Sequence, residues 1–293
     1  MKVLFIVNPT AGKGRTIKIV PEIKAIMSEL KEVEYEISYT EKSGHATGIA
    51  KNAADQGYDI VFAVGGDGTV NEVMNGLVKT NSALGVIPGG SGNDFVRTLG
   101  TKGDTAKIIK DAVNGTKKLI DVGFINDRYF INISSAGFDA EAVLATEQAK
   151  KYFLSGSLAY LAGLISTILS GKPNRVKISI GDKEIEESIL LIAVANGKYY
   201  GGGMMAAPDA VLDDEMFDVC IIRAMSRIRM LSIFPQFMKG KHKKFKEVSF
   251  HRSDKVSIES LTPIAVNVDG EVFRDTKVTF EIIKKGLFIT CPV

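Results

Sequence analysis

Cysteine is almost absent from this chain of 293 residues; Cys220 and Cys291 are the only two. Two isolated thiols do not make a disulfide framework or a Cys-based zinc site, so a reducing compartment is expected. Histidine is nearly as scarce, and His45, His242 and His251 show no metal-ligand spacing. Long hydrophobic runs are also missing. The apolar run after Lys2 ends at Asn8-Pro9 without a cleavage-site pattern, so it reads as a buried strand and not as a targeting signal. Phe153 to Leu169 is the other membrane candidate, but Ser155, Gly156, Ser157, Gly163 and Ser166 interrupt it. A buried or surface-docked helix is expected there.

Negative charge is missing from one long segment. No acidic residue stands between Asp218 and Glu247, where eight basic ones do: Arg223, Arg227, Arg229, Lys239, Lys241, Lys243, Lys244 and Lys246. The net charge of +3 therefore arises from this segment, and the rest of the chain is slightly acidic. The charges between Arg227 and Lys246 alternate with Ile228, Met230, Leu231, Ile233, Phe234, Phe237 and Met238. That composition suits an anionic membrane surface, and equally a solvated helix packed on a domain.

With 45% hydrophobic and 24% charged residues, the chain can bury an ordinary core, which excludes disorder and collagen-like structure. Its length suggests two domains. Residues 1–120 alternate regularly: strand Lys2 to Val7, helix Thr16 to Leu30, strand Glu34 to Thr40, helix Ala46 to Gln56, strand Asp59 to Val64, helix from near Val70 to Lys79, strand Leu84 to Ile87. Such alternation predicts an α/β domain with a parallel sheet. Residues 121–293 are richer in short strands. Arg175 to Ile180 turns at Gly181-Asp182, and Ile264 to Val268 turns at Asp269-Gly270, which predicts hairpins and a mainly antiparallel, β-rich second domain. The extreme C-terminus is expected to pack back on the first domain. Neither repeats nor a low-complexity linker are found, so the two domains should be tightly connected.

The strand-to-helix loops of the first domain are unusually rich in glycine: NPTAGKG at Asn8 to Gly14, GGDGT at Gly65 to Thr69, and PGGSGND at Pro88 to Asp94. Glycine lets backbone amides approach a phosphate, and a helix N-terminus presents unpaired N–H groups to negative charge. An aspartate inside such an anion site is repulsive unless a cation intervenes. Asp67 therefore implies either Mg²⁺ carried by a nucleotide or a hydroxyl substrate whose proton it accepts, the bland alternative being a turn with a helix-capping Asp. The spacing of the first loop does not match a Walker P-loop. Asp213-Asp214-Glu215 is a carboxylate cluster suited to a hard cation or simply to solvent.

These motifs, in this order and spacing, resemble the catalytic domain of the diacylglycerol kinase and sphingosine kinase superfamily, particularly its small soluble bacterial lipid kinases. The likeness continues through IDVGF at Ile120 to Phe124, NISSAGFDA at Asn132 to Ala140, PDAVLDDEMFDV at Pro208 to Val219 and VDGE at Val268 to Glu271. At Gly92 the family commonly has threonine; Ser91 still supplies a hydroxyl. The resemblance implies an NAD kinase- and phosphofructokinase-like α/β lobe, with ATP held between it and the β-rich lobe. It implies an ATP- and Mg²⁺-dependent lipid kinase. Carried over by position, Asn8, Pro9, Thr10, Ala11, Gly12, Thr40, Gly65, Gly66, Asp67, Gly68, Thr69, Val70, Asn71 and Ser91 would line the nucleotide site. Asp214, with the carbonyls of Val211 and Met216, would hold a structural Mg²⁺. Glu271 would be the proton acceptor, with Asp269 beside it and Asp67 as the alternative.

Diacylglycerol is the favoured acceptor, phosphatidylglycerol or a sphingoid-type lipid the alternative. An NAD kinase, which shares GGDGT, and a non-catalytic nucleotide or lipid sensor stand behind these. The partners implied are the lipid, an anionic membrane surface and, as an open option, a second copy of the chain. Nucleic acid is not among them. The expected location is the cytoplasm, with peripheral membrane association.

Overall fold

The computed structural model describes residues 1–138, 140–141 and 173–291. The apolar stretch 153–169 and Asp139 of the NISSAGFDA motif lie outside the described residues. The chain separates into two compact units, Met1–Val122 with the stretch from Ile283 onward, and Gly123–Ile282.

The first unit alternates strand and helix. β1 (Lys2–Val7), α1 (Arg15–Glu29), β2 (Glu34–Tyr39), α2 (His45–Asp55), β3 (Ile60–Gly65), α3 (Asp67–Leu77) and β4 (Ala83–Pro88) follow one another. α4 (Asp94–Leu99), α5 (Thr105–Asn114) and β5 (Thr116–Ile125) come next, β5 crossing into the second unit. β1 lies between β2 and β3, β3 pairs with β4, and every one of these pairings is parallel. β3, IVFAVG, is buried along its whole length, as a strand covered on both faces must be. Helix α1 buries Val20, Ile23, Ile26 and Met27, one stripe at helical spacing. They join Phe5 and Phe62, whose rings stack at 4.8 Å, and each fully buried side chain of this kind contributes about 1.5–3 kcal/mol.

Helix α3 starts at Asp67, not near Val70 as the apolar pattern predicts. Gly66 is the extended N-cap residue, so the helix begins as soon as the glycine pair allows, and an acidic residue in the first turn is favoured by the helix dipole.

The second unit is β-rich. It contains β6 (Arg128–Phe130), β7 (Ile133–Gly137), β8 (Asn174–Ile180), β9 (Lys183–Ala195), β10 (Phe217–Arg223), α6 (Arg227–Met238), β11 (Val248–Ser253), β12 (Lys255–Val268) and the start of β13 (Glu271–Cys291). Its pairings are antiparallel: β11 with β10, β10 with β9, β9 with β7 and β8, and β12 with β7, β8 and β13. The β12–β13 hairpin closes at Val268↔Glu271, with Asp269 and Gly270 both at positive φ, 45° and 102°. That is the two-residue turn the Asp-Gly signal predicts. Alternate residues of these strands, including Phe130, Phe217, Val256, Val266 and Phe280, form one core. No helix among the described residues is long and apolar enough to cross a membrane.

Candidate active site

Parallel strands deliver their connecting loops to one edge of the first unit, and there the three glycine loops touch through their backbones. A Cβ on Gly12, whose φ is +58°, would lie 2.0 Å from the carbonyl oxygen of Gly89. A Cβ on Gly90 would lie 2.5 Å from the Cα of Gly66. Any side chain at these positions would force the loops apart. Asn8 ties the arrangement together: its Nδ2 donates to Thr69 Oγ1 at 3.1 Å, and its Oδ1 accepts from the backbone N–H and the hydroxyl of Thr10 at 3.1 and 2.9 Å.

The loops enclose an open cavity of about 450 Å³. Asn8, Pro9, Thr10, Ala11, Gly12, Thr40, Gly66, Gly68 and Thr69 line it, so these members of the expected nucleotide set share one pocket. Five others do not line it. Gly65 and Val70 are buried, Asn71 is engaged along α3 by Asn75 at 3.2 Å, Ser91 is exposed, and Asp67 is turned to the third loop. Sequence reasoning missed Glu41, Lys42, Ser43, Ala46, Glu72 and Gly90, which complete the wall. The signal for Glu72 was its spacing, four residues beyond Gly68 on the same helix face. Its carboxylate accepts from the N–H of Ala46 at 3.1 Å and so caps α2.

Asp67 departs from the expected picture of a carboxylate presented to nucleotide. Its Oδ2 accepts from the N–H of Asn93 at 2.8 Å and its Oδ1 from the N–H of Asp94 at 2.6 Å. Asn93 sits at a positive φ of 54°, which aims both amides at one acceptor. Asp67 thus caps the helix in the next glycine loop and clasps the second loop to the third.

In the second unit the two carboxylates of the hairpin tip have different tasks. Asp269 accepts from the N–H groups of Ile131, Asn132 and Ile133 at 2.8, 3.3 and 3.3 Å, which binds the turn to the segment joining β6 and β7. Glu271 points outward and meets Arg128, Oε2 to Nη1, at 2.6 Å.

Asp214 is likewise engaged. Its Oδ1 accepts from the N–H of Met216 at 3.2 Å, and its Oδ2 is ion-paired with Arg252. Val211 and Met216 are exposed. Arg252 also approaches the buried Asp218 at 3.8 Å. Burial pushes the Asp218 carboxyl above its ordinary range, Arg252 opposes that rise and Asp214 adds to it. A divalent cation at Asp214 would have to displace this guanidinium. Among the described residues no group of three or more His, Cys, Asp or Glu side chains is arranged to hold a metal.

The glycine-loop pocket and the strand pattern lie within regions that match known families. Residues 2–125 match the diacylglycerol kinase catalytic domain, and residues 132–291 match the YegS C-terminal NAD kinase beta sandwich-like domain. The chain belongs to the diacylglycerol kinase family. It is 33% identical over 272 residues to the diacylglycerol kinase of Bacillus subtilis, covering 91% of this chain and 88% of that protein. With the diacylglycerol kinase of Staphylococcus saprophyticus the identity is 32% over 292 residues, 98% of this chain and 94% of that one. The crystal structure of a diacylglycerol kinase from Bacillus anthracis is similar with a TM-score of 0.72 at 27% identity, covering 99% of this chain and 96% of that chain.

The acid-free segment of this diacylglycerol kinase family member forms α6 and the short 3₁₀ turn His242–Lys244. α6 buries Met230, Ile233 and Phe237 and exposes Ile228 and Leu231, at 82% and 40%. Arg223, Arg229 and Lys243 are ion-paired with Glu187, Glu247 and Asp209. Arg227, Lys239, Lys241, Lys244 and Lys246 make no ion pair among the described residues. His242 is wholly buried between Phe237 and Phe250, with Nε2 facing the carbonyl of Ala206 at 3.1 Å. Burial drives its pKa down to about 4, against the raising effect of the Ala206 carbonyl.

Proposed function

We propose that this chain transfers the terminal phosphoryl group of ATP to the free hydroxyl of diacylglycerol, giving phosphatidic acid. The observation that carries this reading is the pocket built from three touching glycine loops inside a region matching the diacylglycerol kinase catalytic domain. Asn8 to Gly12, Thr40, Gly65 to Asn71 and Ser91 are the proposed nucleotide residues. Those that line the pocket would contact nucleotide directly; Gly65, Asp67, Val70 and Asn71 would act by fixing the loop and helix that shape it. Phosphoryl transfer needs alignment and neutralised oxygens more than covalent help from the protein. Mg²⁺ would supply part of that neutralisation and is proposed to arrive with the nucleotide, since Asp214 already holds Arg252.

Glu271 is the proposed proton acceptor. Of the three candidate carboxylates, Asp67 and Asp269 already accept two or more backbone N–H groups each, whereas Glu271 is exposed and held by one side chain. Access to lipid is proposed to come from peripheral docking on an anionic leaflet through Ile228, Leu231 and the unpaired cations of the acid-free segment, at about 1 kcal/mol per basic residue near the surface. The proposed location is the cytoplasm, at the membrane face.

The test is purified protein with labelled ATP and Mg²⁺, offered diacylglycerol, phosphatidylglycerol, a sphingoid base and NAD in parallel. Label in phosphatidic acid is the expected result. Label chiefly in another product would replace the acceptor, and no label in any would return the chain to a binding role. Sedimentation with anionic vesicles, with and without Lys239, Lys241, Lys244 and Lys246 replaced by Gln, tests the docking surface separately. Binding unaffected by the substitutions and by salt would remove that surface from the proposal.

A further inference from the structure

We infer that Arg128 is the residue that positions Glu271, holding its carboxylate in one direction at the hairpin tip. This rests on the reading of Glu271 as proton acceptor. The two side chains are 143 positions apart in sequence, and the fold makes both ends of their contact rigid. β6 is three residues long and pairs with β5 through Ile125↔Arg128, Phe124↔Tyr129 and Gly123↔Phe130. Phe130 is wholly buried, stacked on Phe217 at 5.7 Å and packed against Gly123 so closely that a Cβ there would meet its ring at 2.1 Å. The backbone carrying Arg128 is therefore anchored two residues away.

Glu271 is anchored in the same way. It follows Gly270 directly, and the Asp269 carboxylate fastens that turn to the three N–H groups immediately after β6. Between these fixed points the guanidinium meets the carboxylate at 2.6 Å. Among the described residues Arg128 also approaches Asp127, at 3.9 Å from its Nε, an anion more exposed than Glu271.

An ion pair this open to solvent, with side chains 42% and 70% exposed, contributes little to stability. Stability alone is a weak account of it. An unheld glutamate at a hairpin tip samples several rotamers, and the single contact of Arg128 Nη1 with Oε2, made from an anchored backbone, selects one. Reaction rates are sensitive to such selection, because a misplacement of about 1 Å can cost on the order of a hundredfold.

The experiment is a double-mutant cycle of Arg128→Gln and Glu271→Gln, with Arg128→Lys as the conservative variant, read as kcat and the KM for ATP on protein of measured folded fraction. Arg128→Gln should lower kcat by at least about tenfold with little change in KM, Arg128→Lys should recover most of it, and the double variant should be no slower than Glu271→Gln alone. Unchanged kcat in Arg128→Gln, a loss explained entirely by the folded fraction, or effects that multiply in the double variant would each overturn the inference. Near-normal kcat in Glu271→Gln would instead overturn the underlying assignment of the proton acceptor, so the two failures are separable.

Discussion

The glycine-loop edge of the first unit and the hairpin tip of the second are both built around carboxylates and tight turns, but they are held in opposite ways. In the first, shape comes from what is missing: Gly12, Gly66, Gly89 and Gly90 allow backbone to lie against backbone, and Asp67 clasps two loops through their amides. In the second, shape comes from side chains that reach across the fold, Asp269 to Ile131, Asn132 and Ile133, and Glu271 to Arg128. A region of the first kind tolerates almost no added atom. A region of the second kind tolerates size changes and fails on loss of a particular partner.

The contrast is sharpest where an atom is added. Gly12→Ala places a methyl group 2.0 Å from the Gly89 carbonyl oxygen at a residue of positive φ, and strain of this kind typically costs about 1–3 kcal/mol. Because the loops form the pocket wall, we expect nucleotide affinity to fall by about tenfold or more, measured by calorimetric titration. Unchanged affinity would break the comparison on its first side.

Acid should act next, and on the second unit. His242 is neutral in the fold, with a pKa of about 4 against 6.5 when exposed. The unfolded chain therefore binds this proton first as pH falls, and stability is lost progressively between pH 6.5 and 4, by up to roughly 3 kcal/mol. Unfolding midpoints of the wild type and of His242→Gln measured across that window should converge at low pH. Parallel curves would show that the histidine is not the acid-labile group.

Removing the Asp269 carboxylate leaves three N–H groups without their acceptor, so Asp269→Ala should cost about 1–3 kcal/mol in denaturant unfolding. Glu271→Gln, two residues away, should cost less than about 1 kcal/mol because its ion pair is exposed, while turnover falls by about 10² to 10⁴. If the two substitutions behaved alike in both measurements, the division between a structural and a chemical carboxylate in this turn would be wrong.

Legibility in the sequence follows the same division. A turn that demands positive φ, such as Asp269-Gly270, and loops that exclude Cβ atoms announce themselves locally, and the strand–helix alternation of the first unit is a local periodicity. Partners distant in sequence leave no such mark. Asp67 reads as a residue facing ligand until the amides of Asn93 and Asp94 are seen to claim it. Arg252, which engages Asp214 from 38 positions away, is invisible in the acidic cluster it neutralises. The start of α3 at Asp67 escaped the apolar pattern because its first turn, Asp67-Gly68-Thr69, carries no large hydrophobic residue.

β13 begins in the second unit and ends in the first, where Phe288 and Ile289 pair in parallel with Ala83 and Leu84 of β4. A ribosome releases β4 long before it releases that partner. Until residues 283–291 emerge, β4 presents an open edge of unpaired amides and carbonyls, the form of strand most prone to wrong pairing. The first unit is thus begun before the second and finished after it, and a nascent chain halted after Val122 would hold an incomplete sheet, not a free-standing domain.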